Sequence, residues 1–418
     1  MAHKKSTILS MLILFAWLAA CTSPNWLPTP TLTEIPLSSG TEGVGTPGMG
    51  IARHPRPADY SFINRSPKLP KKYDPNSENP FQNDYRAANL TRLDLSQSLE
   101  GLLYSNFDSD TRWPAADQLP AGFDPQAVLE RGKDPGLGVR TLHSQGITGR
   151  GVGIAIIDQT LLVDHQEYAD RLKWYEETNC QTCDAQMHGP AVASIAVGKT
   201  VGVATEADLY YLADNTMNKY AHLGTSIRRV IEFNQTLPEG HKIRVLSMSI
   251  GWMPDSPGVD EVTAAVNEAK AAGIFVIDVD LSGYTGMYSM GLGRSALDDP
   301  NDFNTYLPSP WWSENYYKDY QQFLTWHALL LPMDARTTAS PTGTSDYAFY
   351  PVGGMSWVNP YLAGMYALAC QVKPDITPED FWSKALATGR TIHITHGGNQ
   401  YSFGTILDAQ ALIAALQK

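Results

Sequence analysis

Asp158, His188 and Ser356 are residues whose types and settings could together break an acyl bond. Hydrolysing an amide at neutral pH needs a nucleophile, a base to take its proton, and a group that orients the base. Asp158 closes the apolar run VGIAII at 152–157. His188 opens a helical segment, HGPAVAS, in which Gly189 permits close backbone approach. Ser356 follows Gly353-Gly354-Met355 and precedes the helical stretch YLAGMYALA. A serine at a helix N-terminus exposes its hydroxyl where the dipole favours developing negative charge. Plainer readings stand beside these: an Asp after a strand is commonly a turn former, His165 rivals His188 as the base, and Ser345 in Gly343-Thr344-Ser345 rivals Ser356.

The elements that must position them follow from the hydrophobic pattern. Apolar runs at 152–157, 207–213, 244–250 and 273–279 read as strands, and 328–331 as a short fifth. Helical patterns lie between them at 190–197, 226–233 and 259–272. Short apolar runs alternating with amphipathic helices indicate an α/β fold, with a mostly parallel central sheet and helices on both faces. In such sheets functional groups gather just beyond the C-terminal strand ends, where Asp158 and Gly251 fall.

The three segments, in the order Asp, His, Ser, resemble the subtilisin-like serine peptidases (subtilases). GVGIAIIDQTLLVDHQEY resembles the family's strand ending in the catalytic Asp, with His165 at the place of a structural histidine. HGPAVASIAVG resembles the His-Gly-Thr motif, with Pro190 in place of Thr. GGMSWVNPYLAGMYAL resembles the Gly-Thr-Ser motif with its downstream Pro and Ala-Gly, which the sequence after Ser345 lacks. Other hydrolase families with such triads use other chain orders, so the order discriminates. The resemblance covers residues 136–418 and implies a three-layer subtilisin-like fold and a serine endopeptidase. It assigns Asp158, His188 and Ser356 as the triad, and Ser249-Ile250-Gly251 as the edge that pairs with substrate backbone.

Departures from the family matter. The stretch AAGIFVIDVDLSGYTG lacks the oxyanion-stabilising Asn, whose position falls at or near Ser282. Gln159-Thr160 after the Asp is unusual, and WWSENYYKDYQQF stands where a strand is familiar. The alternative reading is therefore a catalytically impaired subtilase fold that binds peptides or partner proteins. The reaction needs no cofactor. The acidic stretch LDDPNDF at 297–303 and Glu167 could hold structural calcium, as relatives often do, or be solvated acids.

Residues 1–20 carry Lys4 and Lys5 before an apolar stretch too short for a comfortable membrane span. The end, Leu18-Ala19-Ala20-Cys21, resembles a bacterial lipoprotein signal, which implies lipidation at Cys21, export from the cytoplasm and a membrane tether. Between 22 and 57, 21 of 36 residues are Pro, Gly, Ser or Thr, so this stretch is expected to be a spacer, within a tether assigned to 21–59. Residues 60–135 form an extension expected to wrap the body or inhibit it, and 136–418 the catalytic body. The net charge of −12, with 31 basic against 43 acidic residues, argues against a nucleic-acid partner. The expected partners are a peptide or protein substrate and the membrane, with the chain acting as a monomer. Cys180-Gln181-Thr182-Cys183 could be a disulfide, half a metal site or two thiols. Outside the cytoplasm a local disulfide bracing the histidine loop is expected, and Cys370 reads as a buried small hydrophobe.

Overall fold

A computed structural model describes residues 49–418, apart from 63–65, 76, 78, 80, 179–181, 217–218 and 253–254. The expected signal, Cys21, most of the tether and Cys180 lie outside the described residues. The N-terminal strands are β1 (Gly50–Ile51), β2 (Asn83–Asp84) and β3 (Ser105–Asp108). The body begins with β4 (Gly153–Asp158), β5 (Leu172–Thr178), β6 (Asp208–Asp214), β7 (Ile243–Met248) and β8 (Phe275–Ile277). Then come β9 (Ser289–Gly293), β10 (Leu307–Pro308), β11 (Leu329–Pro332), β12 (Arg336–Ala339) and β13 (Tyr347–Tyr350). A hairpin of β14 (Arg390–His396) and β15 (Asn399–Ile406) precedes the last helix.

The central sheet has the order β1-β5-β6-β4-β7-β8, and every pair in it is parallel. Along β4 the side chains alternate between two cores. Ile154 and Ile156 pack with the helices His188–Val197 and Met355–Val372, whereas Ala155 and Ile157 pack with Tyr220–Thr236 and Val259–Ala271. This two-sided burial is why the strand reads as continuously apolar, and each fully buried isoleucine contributes about 1.5–3 kcal/mol. The architecture is thus the expected α/β fold, a mostly parallel central sheet with helices on both faces. β4 sits where the chain, after building β5 and β6 on one side, crosses to build β7 and β8 on the other. A crevice opens at such a reversal, at the C-terminal ends of the strands.

The run at 328–331 does form a strand, but in another sheet. β11 pairs in parallel with β9 and β15 in the order β10-β9-β11-β15-β14. β5 carried no apolar signal because Glu176 and Glu177 end it in ion pairs, with Arg229 and Arg53 at 2.7 and 2.6 Å. WWSENYYKDYQQF lies in two helices, Pro310–Lys318 and Tyr320–Thr325, whose Trp312, Tyr316 and Phe323 pack on Phe403 of β15 and on one another.

The segment before residue 136 is woven into the body. β1, within the stretch read as tether, adds to the edge of the central sheet beside β5. β3 pairs with β13 in a third sheet of order β12-β13-β3-β2. Phe107, fully buried, meets Trp113 edge-on and Phe349 at a tilt, with ring centroids 5.1 Å away in both cases.

Candidate active site

Asp158 is the last residue of β4, fully buried. Its Oδ1 accepts from the Gln159 amide at 2.7 Å and lies 2.7 Å from His188 Nδ1, while its Oδ2 is buried with no hydrogen-bond partner among the described residues. His188 is the first residue of a helix buried from Gly189 to Val197. Gly189 makes that entry possible, because a Cβ there would stand 2.5 Å from Gln159 O and 2.6 Å from Tyr211 Oη. Burial alone would lower the His188 pKa, but the Asp158 charge and hydrogen bond outweigh it and raise it. An imidazole held this way through Nδ1 has Nε2 left to take a proton.

Ser356 stands in the first turn of the helix Met355–Val372, where backbone amides have no partner within the helix. That helix is pinned at the sheet's C-terminal edge. Ser249 Oγ donates to Ser356 O at 3.0 Å, and Asn359 Nδ2 donates to Met248 O at 3.0 Å. Further along, a Cβ on Gly364 would meet Val203 Cβ at 2.6 Å and Ala196 O at 3.3 Å, so the bare glycine lets the serine helix cross close to the histidine helix. The two helices meet at the site through Trp357, whose ring centroid lies 5.6 Å from that of His188 and 5.5 Å from that of Tyr350. Ser356 Oγ has no hydrogen-bond partner among the described residues.

His165 is buried, its Nδ1 accepting from the Glu167 amide at 3.2 Å and its Nε2 2.8 Å from Asp346 O, so both nitrogens serve the fold. Ser345 lies in the turn before β13 and lines a cavity of about 350 Å³ with Trp113, Lys133 and Tyr347.

Ser249, Ile250 and Gly251 follow β7 directly, and Ile250 O is taken by the Val279 amide at 3.1 Å. Ser282 sits on a short helix, Leu281–Thr285. Beneath it the sequence reading missed a buried acid. Asp278 accepts from Tyr284 Oη at 2.8 Å and from the Asp280 amide at 2.7 Å, and burial pushes it up to about 8.

Glu167 does not fit a calcium site. Its oxygens accept from Thr200 Oγ1 and Tyr347 Oη, and from the Thr200 and Val201 amides. Among the described residues no three acidic, histidine or cysteine groups converge as metal ligands would. Cys183 is disulfide-bonded, which removes the half-metal-site reading, and its partner lies outside the described residues. Cys370 is a free, buried thiol pushed up to about 11 by burial. No helix among the described residues is long and apolar enough to cross a membrane.

Residues 149–278 match the subtilase family of peptidases. The subtilase match contains Asp158 and His188 and ends before Ser356. The chain is 25% identical over 288 residues to the subtilisin-like protease PopC of Myxococcus xanthus, covering 60% of this chain and 58% of PopC. It is 24% identical over 281 residues to the serine protease AprX of Bacillus subtilis, covering 57% of this chain and 61% of AprX. The chain thus spans about three fifths of the length of these curated relatives. The prenylagaramide maturation protease PagA aligns with 67% of this chain and 98% of its own, at 16% identity and a TM-score of 0.44.

Proposed function

We propose that this protein is a subtilase-like serine endopeptidase acting through an acyl-enzyme. The observation that carries the reading is the hydrogen bond from His188 Nδ1 to buried Asp158 at the C-terminal end of β4, beside the pinned first turn of the serine helix. In the proposed reaction Ser356 Oγ attacks the peptide carbonyl carbon and its proton passes to His188 Nε2. The tetrahedral oxyanion collapses, breaking the C–N bond, and the leaving amine takes that proton. Water, deprotonated by the same imidazole, then frees the acid and restores Ser356. Asp158 fixes the tautomer and stabilises the imidazolium without itself gaining a proton. The oxyanion would be met by the Ser356 amide and by Ser282, and one such donor is worth roughly 10²–10³ in turnover. Ser249, Ile250 and Gly251 would present the edge to the substrate backbone. No cofactor enters the reaction.

A second reading, a peptide-binding fold with impaired catalysis, is favoured by serine in place of the oxyanion Asn and by the unbonded Ser356 hydroxyl. A serine-directed fluorophosphonate probe separates the two. Labelling of the folded full chain that is lost in Ser356→Ala and kept in Ser345→Ala supports the peptidase, and no labelling of the folded wild type refutes it.

We further propose that the protein is exported and lipid-anchored through Cys21, acting as a monomer on peptide or protein substrates and not on nucleic acid. A Cys21→Ser variant that stays with the membrane fraction contradicts the anchor.

A further inference from the structure

The turn between β11 and β12 carries an acid that the reaction does not use. Asp334 is 2% exposed, and its Oδ1 accepts from the Gly353 amide at 2.8 Å, three residues before Ser356. The turn is anchored on both sides, with the Asp334 amide on Leu292 O at 3.1 Å and the Ala335 amide on Pro351 O at 3.0 Å. Ala335 adopts φ +53°, a conformation that L side chains rarely hold unless their surroundings impose it. The loop entering the serine helix lies directly on this turn, since a Cβ on Gly353 would stand 2.4 Å from Met333 O. Asp334 is therefore the side-chain tie between a rigid turn and the backbone that delivers Ser356.

Resting on the peptidase reading above, we propose that Asp334 is a positioning residue, which sets the placement of Ser356 by holding the Gly353 amide. A carboxyl is unusual for this task because it is buried and makes no ion pair among the described residues. The nearby Arg294 spends its guanidinium on the carbonyls of Ser295, Asp298 and Ala335. The other groups facing Asp334 are the hydroxyl of Ser309, which with Gly353 N–H and Arg294 lowers its pKa, and the phenols of Tyr73 and Tyr104 from the N-terminal extension. Burial outweighs the favourable contacts and pushes the carboxyl up to about 7. The ionised form accepts from Gly353 more strongly, so the tie weakens as pH falls through that value.

The test uses the full chain with Asp334→Ala and Asp334→Asn. The amide keeps an acceptor for Gly353 and offers a donor to Ser309, whereas alanine offers neither. Asp334→Ala is expected to lower kcat by about 10–100-fold with KM little changed, because small misplacements of a reacting group act on the chemical step. Asp334→Asn is expected to restore most of that rate and to remove one ionisation from the acid limb of the fluorophosphonate labelling profile. Should Asp334→Ala fail to fold, the profile of Asp334→Asn decides: an acid limb identical to wild type overturns the role. A folded Asp334→Ala with wild-type kcat also overturns it, while the wild type still labels. No labelling of the folded wild type overturns the peptidase reading, and this role with it.

Discussion

His188 Nδ1 and Asp158 Oδ1 stand 2.7 Å apart, on the same carboxylate oxygen that takes the Gln159 amide. The carboxylate is thus tied to the turn that follows its own strand while it holds the imidazole. Through the ring of Trp357 the pair reaches Tyr350, whose hydroxyl accepts from Arg86 of the N-terminal extension at 3.2 Å.

The pair sets a pH dependence. Only neutral His188 can act as base, and its pKa is raised above the ordinary value of 6.5 by Asp158. Labelling of Ser356 should therefore be full at high pH and fall as pH drops through a midpoint above 6.5. Asp158→Asn leaves burial as the dominant influence, so the midpoint should move below 6.5 while the rate at pH 8 drops by roughly 10³–10⁴. Measuring both in the Asp334→Asn background isolates the histidine. An unmoved midpoint would show that Asp158 does not govern this group.

The hydroxyl of Ser282 should matter to turnover more than to binding. Ser282→Ala is expected to lower kcat by roughly 10²–10³ with KM unchanged, as for loss of a donor that acts only on the oxyanion. Steady-state cleavage of a peptide substrate reads this, and an unchanged kcat would leave the backbone amides as the donors.

Gly189 is required by space. The Cβ of Gly189→Ala would meet two oxygens at 2.5 and 2.6 Å, one of them backbone, so the histidine helix must shift away from β4. Overpacking of this kind costs about 1–3 kcal/mol. Thermal melting should show a folded but destabilised protein, and labelling should fall further than stability explains. Wild-type labelling would mean that the helix relaxes without moving His188.

The N-terminal extension should melt with the body. Phe107→Ala removes a fully buried ring between Trp113 and Phe349 and should cost about 3–5 kcal/mol. One cooperative transition shifted downward is expected in calorimetry. A separate early transition, with the main one unmoved, would show the extension to be an independent unit.

The sequence by itself determined the features that burial writes locally. β4, β6, β7 and β8 each bury both faces and so read as apolar runs, and the glycines before Ser356 and after His188 marked where backbone comes close. Hence the α/β class, the central helices and the three candidate residues were legible without coordinates. Partner choice was not. An apolar run such as that of β11 says that it is buried but not in which sheet, and β11 joined β9 and β15. β5 hid behind glutamates whose charges are matched by arginines distant in sequence. Asp334 and Gly353, 19 residues apart, meet only because the turn carrying the acid is fixed on both sides by Leu292 and Pro351. Periodicity reports how deeply a segment is buried. Which segment lies against it depends on register, loop closure and packing, which only the folded chain decides.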